Sequence, residues 1–90
     1  MPDKYSIFIT AYEYDVLKNN HVIALTCKPY LVSAVQHDDD FELHLTLSEL
    51  KDLIGFVAAE ANHARLKRNR EDLNEICDYL ESEEIAIERG

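Results

Sequence analysis

Glycine and proline are scarce in this 90-residue chain, two of each, and their positions leave long stretches without a breaker. With only Gly55 and Gly90 there is no glycine-rich loop to cradle a phosphate and no Gly-x-Ser-x-Gly elbow to present a nucleophile. Ser6, Ser33, Ser48 and Ser82 stand without an evident base beside them, so no enzymatic activity is expected. Cysteine is equally sparse. Cys27 and Cys77 lie fifty residues apart with no Cys-x-x-Cys spacing, and both read as reduced, small core residues. No apolar run approaches the ~20 residues of a membrane span, and the start at Met1–Lys4 lacks the basic-then-apolar form of a signal peptide. The expected compartment is the cytoplasm.

Negative charge is what the chain has in excess: 18 acidic against 9 basic side chains, a net charge of −9. Such a field repels nucleic-acid backbones and anionic membranes, and it suits a basic protein partner. Its distribution is uneven. Arg65, Lys67, Arg68 and Arg70 fall within six residues, and eight of the acids lie in 71–88. A chain this short reads as a single domain over 1–90 with a thin core, burying ~60–65% of the surface exposed when unfolded. Small domains commonly gain stability by self-association.

The first half reads as strands, over about 5–47. Residues 5–12 and 22–27 are rich in β-branched and aromatic residues, with Lys18-Asn19-Asn20 suited to a turn between them. Residues 13–18 fit either longer strands or one helical turn. Pro29 lacks an N–H and is expected to interrupt pairing, with Leu31–Gln36 resuming as a strand. His37-Asp38-Asp39-Asp40 supplies a solvated turn, without the alternating ligands, glycine and distal glutamate of a calcium loop. From Phe41 to Leu47 apolar and polar residues alternate, the pattern of a strand wet on one face. His21 and His44 appear as isolated histidines with no metal-ligand spacing.

Helices are expected over about 48–81. Thr46 and Glu49 form a Thr-x-x-Glu capping box, with Ser48 as the competing cap. On a helical wheel Leu50, Leu53, Ile54, Val57, Ala61 and Ala64 fall within roughly 80° of one another, a stripe meant for the sheet. Continued without a break, the wheel puts Leu73, Ile76, Cys77 and Leu80 about 120° away. Either the chain turns near Lys67–Arg70, with Asn69 capping a second helix over about 70–81, or one long helix offers a heptad seam through Leu66, Leu73, Ile76 and Leu80 to a second copy. Gly55 inside the first helix admits a close backbone approach or is a tolerated surface residue. The tail, 82–90, alternates like an edge strand or frays. The resulting class is α+β: an antiparallel meander of three to four strands, one long helix packed on it, and a second C-terminal helix.

Three groups of residues are candidates for contact with a partner. Phe56, Glu60 and His63 border the core stripe beside Glu49 and Asp52, an aromatic among acids. Glu60-x-x-His63 has the spacing of a carboxylate–imidazole metal pair but reads as an ordinary surface pair, since one copy lacks the further ligands; no metal or cofactor is expected. Leu66, Leu73, Ile76 and Leu80 form the displaced stripe. Glu71, Glu75 and Asp78 line one helical face at ~6 Å intervals, comparable with phosphate spacing along a DNA strand. The expected function is therefore a small, acidic, non-enzymatic protein–protein interaction module, homodimeric through its C-terminal helical part. The alternative is an acidic inhibitor or immunity-type protein whose carboxylates imitate phosphates toward a basic nucleic-acid-handling target. A metal or enzymatic site assembled across a dimer is the third reading.

Overall fold

A computed structural model describes residues 3–90. The chain starts as β1 (Lys4–Thr10) and passes through three short helices, α1 (Ala11–Asn19), α2 (His21–Thr26) and α3 (Lys28–Val32). It returns as a hairpin of β2 (Val35–His37) and β3 (Asp40–Thr46), then ends in α4 (Leu47–His63) and α5 (Lys67–Arg89). The class is α+β: a three-stranded antiparallel sheet followed by a long helix and a C-terminal helix. The sheet order is β1-β3-β2, so the clean alternation from Phe41 onward marks the central strand. Ile7 pairs with Leu43 and Ile9 with Phe41, which puts their side chains on one face, against the helices.

Both strand-to-helix junctions use the same device. Thr46 Oγ1 accepts from the Glu49 N–H at 3.1 Å, while the Thr46 N–H donates to Glu49 Oε1 at 2.8 Å. Thr10 and Glu13 repeat this at the start of α1, with distances of 3.1 and 2.7 Å. Each box satisfies two backbone N–H groups that a helix start leaves without partners, so the chain changes structure with no connecting residue. Residues 11 and 12, expected to prolong the first strand, are the first turn of α1, and the ambiguous 13–18 is its continuation.

The stretch 22–27, expected as a strand, is helical instead. Asn20, expected in a hairpin turn, ends α1 and caps α2, its Oδ1 accepting from the Ile23 N–H at 3.0 Å. Ile23 of α2 and Cys27, which ends it, are buried while Leu25 between them is 72% exposed. That is the i, i+4 contact of a helix; a strand would have put all three on one side. Pro29 does not interrupt a strand: it occupies the first turn of α3, where its missing N–H costs nothing. The strand expected over Leu31–Gln36 shrinks to Val35–His37. The aspartates do form a turn, with Asp38 in the left-handed region at φ 52°.

The displaced stripe is resolved by a fold-back. The chain turns at Ala64–Leu66, and Leu73, Ile76, Cys77 and Leu80 are all buried, with α5 packed along α4. The basic cluster sits where α4 exposes its last carbonyls: Arg70 Nη2 donates to the Ala64 oxygen at 3.2 Å. Asn69 does not cap α5; it lies inside the helix, which starts after Leu66 with no side-chain cap. Residues 82–89, expected as an edge strand or frayed tail, continue α5, and Ile87 packs partly buried on the core. A Cβ built at Gly55 would meet nothing within 4 Å, so this glycine serves no close approach. Among the described residues the buried set is entirely apolar, and no helix is long and apolar enough to cross a membrane.

Candidate functional site

The residues singled out in the sequence do not converge. Phe56 is 36% exposed on α4, Glu60 is half-buried, and His63 is exposed at the helix end. No hydrogen bond or ion pair links Glu60 to His63, and among the described residues no three His, Cys, Asp or Glu side chains gather around a common point. Leu73, Ile76 and Leu80 are core residues covered by the same chain, so they offer no surface to a second copy. Leu66, in the connection before α5, is exposed. Glu71, Glu75 and Asp78 are exposed along α5, as the wheel requires. Cys27 and Cys77 are free and buried. Burial first and the nearby Asp52 second push the Cys27 thiol up to about 11. Burial, then its contact with Glu81, pushes Cys77 up to about 12. Both are protonated, unreactive thiols near neutral pH.

Two clusters arise that the linear sequence does not announce. The first lies on the open face of the sheet. His37 Nε2 and His44 Nε2 each lie 2.8 Å from a Glu42 oxygen, Oε1 and Oε2 respectively, and Ser6 Oγ donates to Oε2 at 2.5 Å. The carboxylate ties all three strands together. A carboxylate whose pKa is lowered to about 2 is a weak base for the Ser6 hydroxyl. The Ser6 hydroxyl first, then the two histidines, lower the Glu42 carboxyl from its ordinary 4.5 to about 2. A group depressed on folding stabilises the fold above its unfolded pKa and loses that contribution as pH falls through the folded one. The denaturant midpoint of the wild type is therefore expected to drop more than that of Glu42→Gln between pH about 4.5 and about 2. Parallel midpoint shifts in the two proteins would remove the carboxylate from the acid response.

The second cluster is a groove of about 320 Å³ formed by the three short helices. Tyr14 and Lys18 come from α1, four residues apart on one face; Ala24 and Leu25 from α2; Lys28, Leu31 and Val32 from α3, at i, i+3 and i+4. Tyr14 is fixed in this wall. Its hydroxyl donates to the Leu31 oxygen at 2.9 Å, and its ring meets Phe41 of β3 at 3.9 Å between centroids. Leu25 and Val32, at 72% and 71%, are the most exposed large apolar side chains of the described residues. No lining residue is acidic, although a fifth of the chain is; Lys18, Lys28 and His21 stand around the apolar floor.

A larger cleft of about 530 Å³ lies between α1 and the start of α5, lined by Asp15, Asn19, Arg68 and Asp72 among others. Tyr12 and Asp72 bridge it through a 2.5 Å hydrogen bond. Asp15, Asn19 and Arg68 are exposed and already solvated, so an occupant would gain little by displacing their water. The apolar groove has more to gain per unit area covered, on the order of 25 cal/mol per Å². It is the better candidate site.

Comparison with protein-family models, with curated protein sequences and with solved structures found no match for this chain.

Proposed function

We propose that this protein is a non-enzymatic interaction module that receives a segment of another protein in the groove of α1, α2 and α3. The observation that carries the reading is the pairing of Leu25 and Val32. Two aliphatic side chains, each more than two-thirds exposed, share one concave surface whose wall is held by Tyr14. Contiguous exposed apolar surface of this kind marks a contact site far more often than scattered single residues do.

The test is affinity capture from the source cell with the wild type and with Leu25→Asp/Val32→Asp. Both side chains point to water, so the variant is expected to keep its helical circular dichroism and lie within about 0.5 kcal/mol of wild-type stability. Its affinity for any partner retained by the wild type is expected to fall at least tenfold, about 1.4 kcal/mol. Capture of the same partners by both proteins would sink the reading.

A second reading has its own support. Glu71, Glu75 and Asp78 are exposed along α5, as carboxylate imitation of phosphates toward a basic target requires. The two readings separate by high salt: binding through α5 rests on charge alone and is expected to be lost, whereas binding through the groove is expected to keep its apolar part.

A further inference from the structure

We propose that the occupant of the groove is an amphipathic helix carrying acidic residues beside its apolar stripe, although the protein itself is strongly acidic. The proposal rests on the groove being the docking site and adds the chemistry of what docks there.

The form of the occupant follows from the walls. All three are helices, so the groove offers no strand edge on which an extended peptide could add main-chain hydrogen bonds. A concave apolar surface between helices is instead suited to the i, i+3/i+4, i+7 anchors of a helix. Leu25 and Val32 would meet those anchors, over the smaller Ala24 and the buried Leu31.

The charge of the occupant follows from the rim. Lys18 on α1 and Lys28 on α3 are exposed and, among the described residues, engage no carboxylate in an ion pair, and His21 stands at the start of α2. Asp15, one turn before Lys18 on α1, belongs to the neighbouring cleft, and Asp52 of α4 acts on the buried Cys27 below; neither lines the groove. At physiological salt, charges farther than ~8 Å are largely screened. The charges that line the groove itself, the two rim lysines, therefore weigh most on the flanks of a docked helix. Lysine or arginine flanks would bring like charges together; glutamate flanks would meet opposite ones.

Three labelled synthetic helices with one leucine stripe, flanked by glutamate, glutamine or lysine, test this by fluorescence anisotropy at physiological salt. The glutamate helix is expected to bind the wild type at least tenfold more tightly than the lysine helix. Lys18→Glu/Lys28→Glu is expected to reverse that order, and Leu25→Asp to abolish binding of all three. Binding without charge preference, or a preference the lysine reversals leave unchanged, would overturn the acidic occupant while leaving the groove as a docking site. Failure of all three helices to bind would overturn both. Sedimentation showing a dimer that Leu25→Asp dissociates would also overturn the proposal, by making a second copy the occupant.

Discussion

Leu80→Ala is expected to lower stability by about 2–5 kcal/mol, a large part of the ~5–15 kcal/mol that holds a typical domain together. Leu80 is fully buried in α5, where it packs with Leu73, Ile76 and Cys77 toward α4. Truncation removes three carbons from a site that neighbouring helices cannot easily collapse around, so transfer and cavity costs add. Urea denaturation followed by circular dichroism reads the loss directly. Its dependence on protein concentration decides between fold-back and self-association. If the stripe were buried only against a second copy, the loss would vary with protein concentration; buried within the chain, it is independent of concentration. A concentration-dependent midpoint, or a loss below about 0.5 kcal/mol, would refute the fold-back.

Ile23→Ala and Leu25→Ala form the second pair with a large expected contrast. Ile23 is fully buried and Leu25 is 72% exposed, so the first substitution is expected to cost about 2–5 kcal/mol and the second to stay within about 0.5 kcal/mol. A strand over 22–27 would place both side chains on one face and make their costs comparable. Equal losses in the same denaturation experiment would restore the strand and dissolve the groove.

The second half of the molecule was legible because its signals are long and redundant. The stripe through Leu50, Leu53, Val57 and Ala61 spans several turns, and Thr46–Glu49 announces its start; all four are buried and the cap is formed. The shift in phase between that stripe and Leu73–Leu80 leaves a fold-back or a second copy as solutions, and the structure takes the fold-back. In the first half, Val22, Ile23 and Thr26 carry strand propensity, yet α2 has only six residues, too few for a helical period to assert itself. Burial of Ile23 and Cys27 overrode that preference. One signal was present and unread: Thr10-x-x-Glu13 is the same box as Thr46-x-x-Glu49 and marks the start of α1.

The candidate site was not legible, for the same reason. A groove between three helices cannot be seen where strands are expected, and under alternation Leu25 would have shared the buried face with Ile23. The Glu42 cluster was hidden differently. His37 and Glu42 meet only through the register of the β2–β3 hairpin, and Ser6 joins because β1, thirty-six residues away in sequence, pairs with β3.

Asn20 belongs at once to the end of α1 and the start of α2, so a single extended residue separates Lys18's helix from Leu25's. Its backbone N–H reaches back to the Leu17 oxygen and its side chain forward to Ile23, and both of those residues are fully buried. Two walls of the groove are thereby joined through one residue bonded to both helices. A segment docking there, as proposed, would meet walls braced before contact, and the entropy of binding would be lost mainly by the visitor.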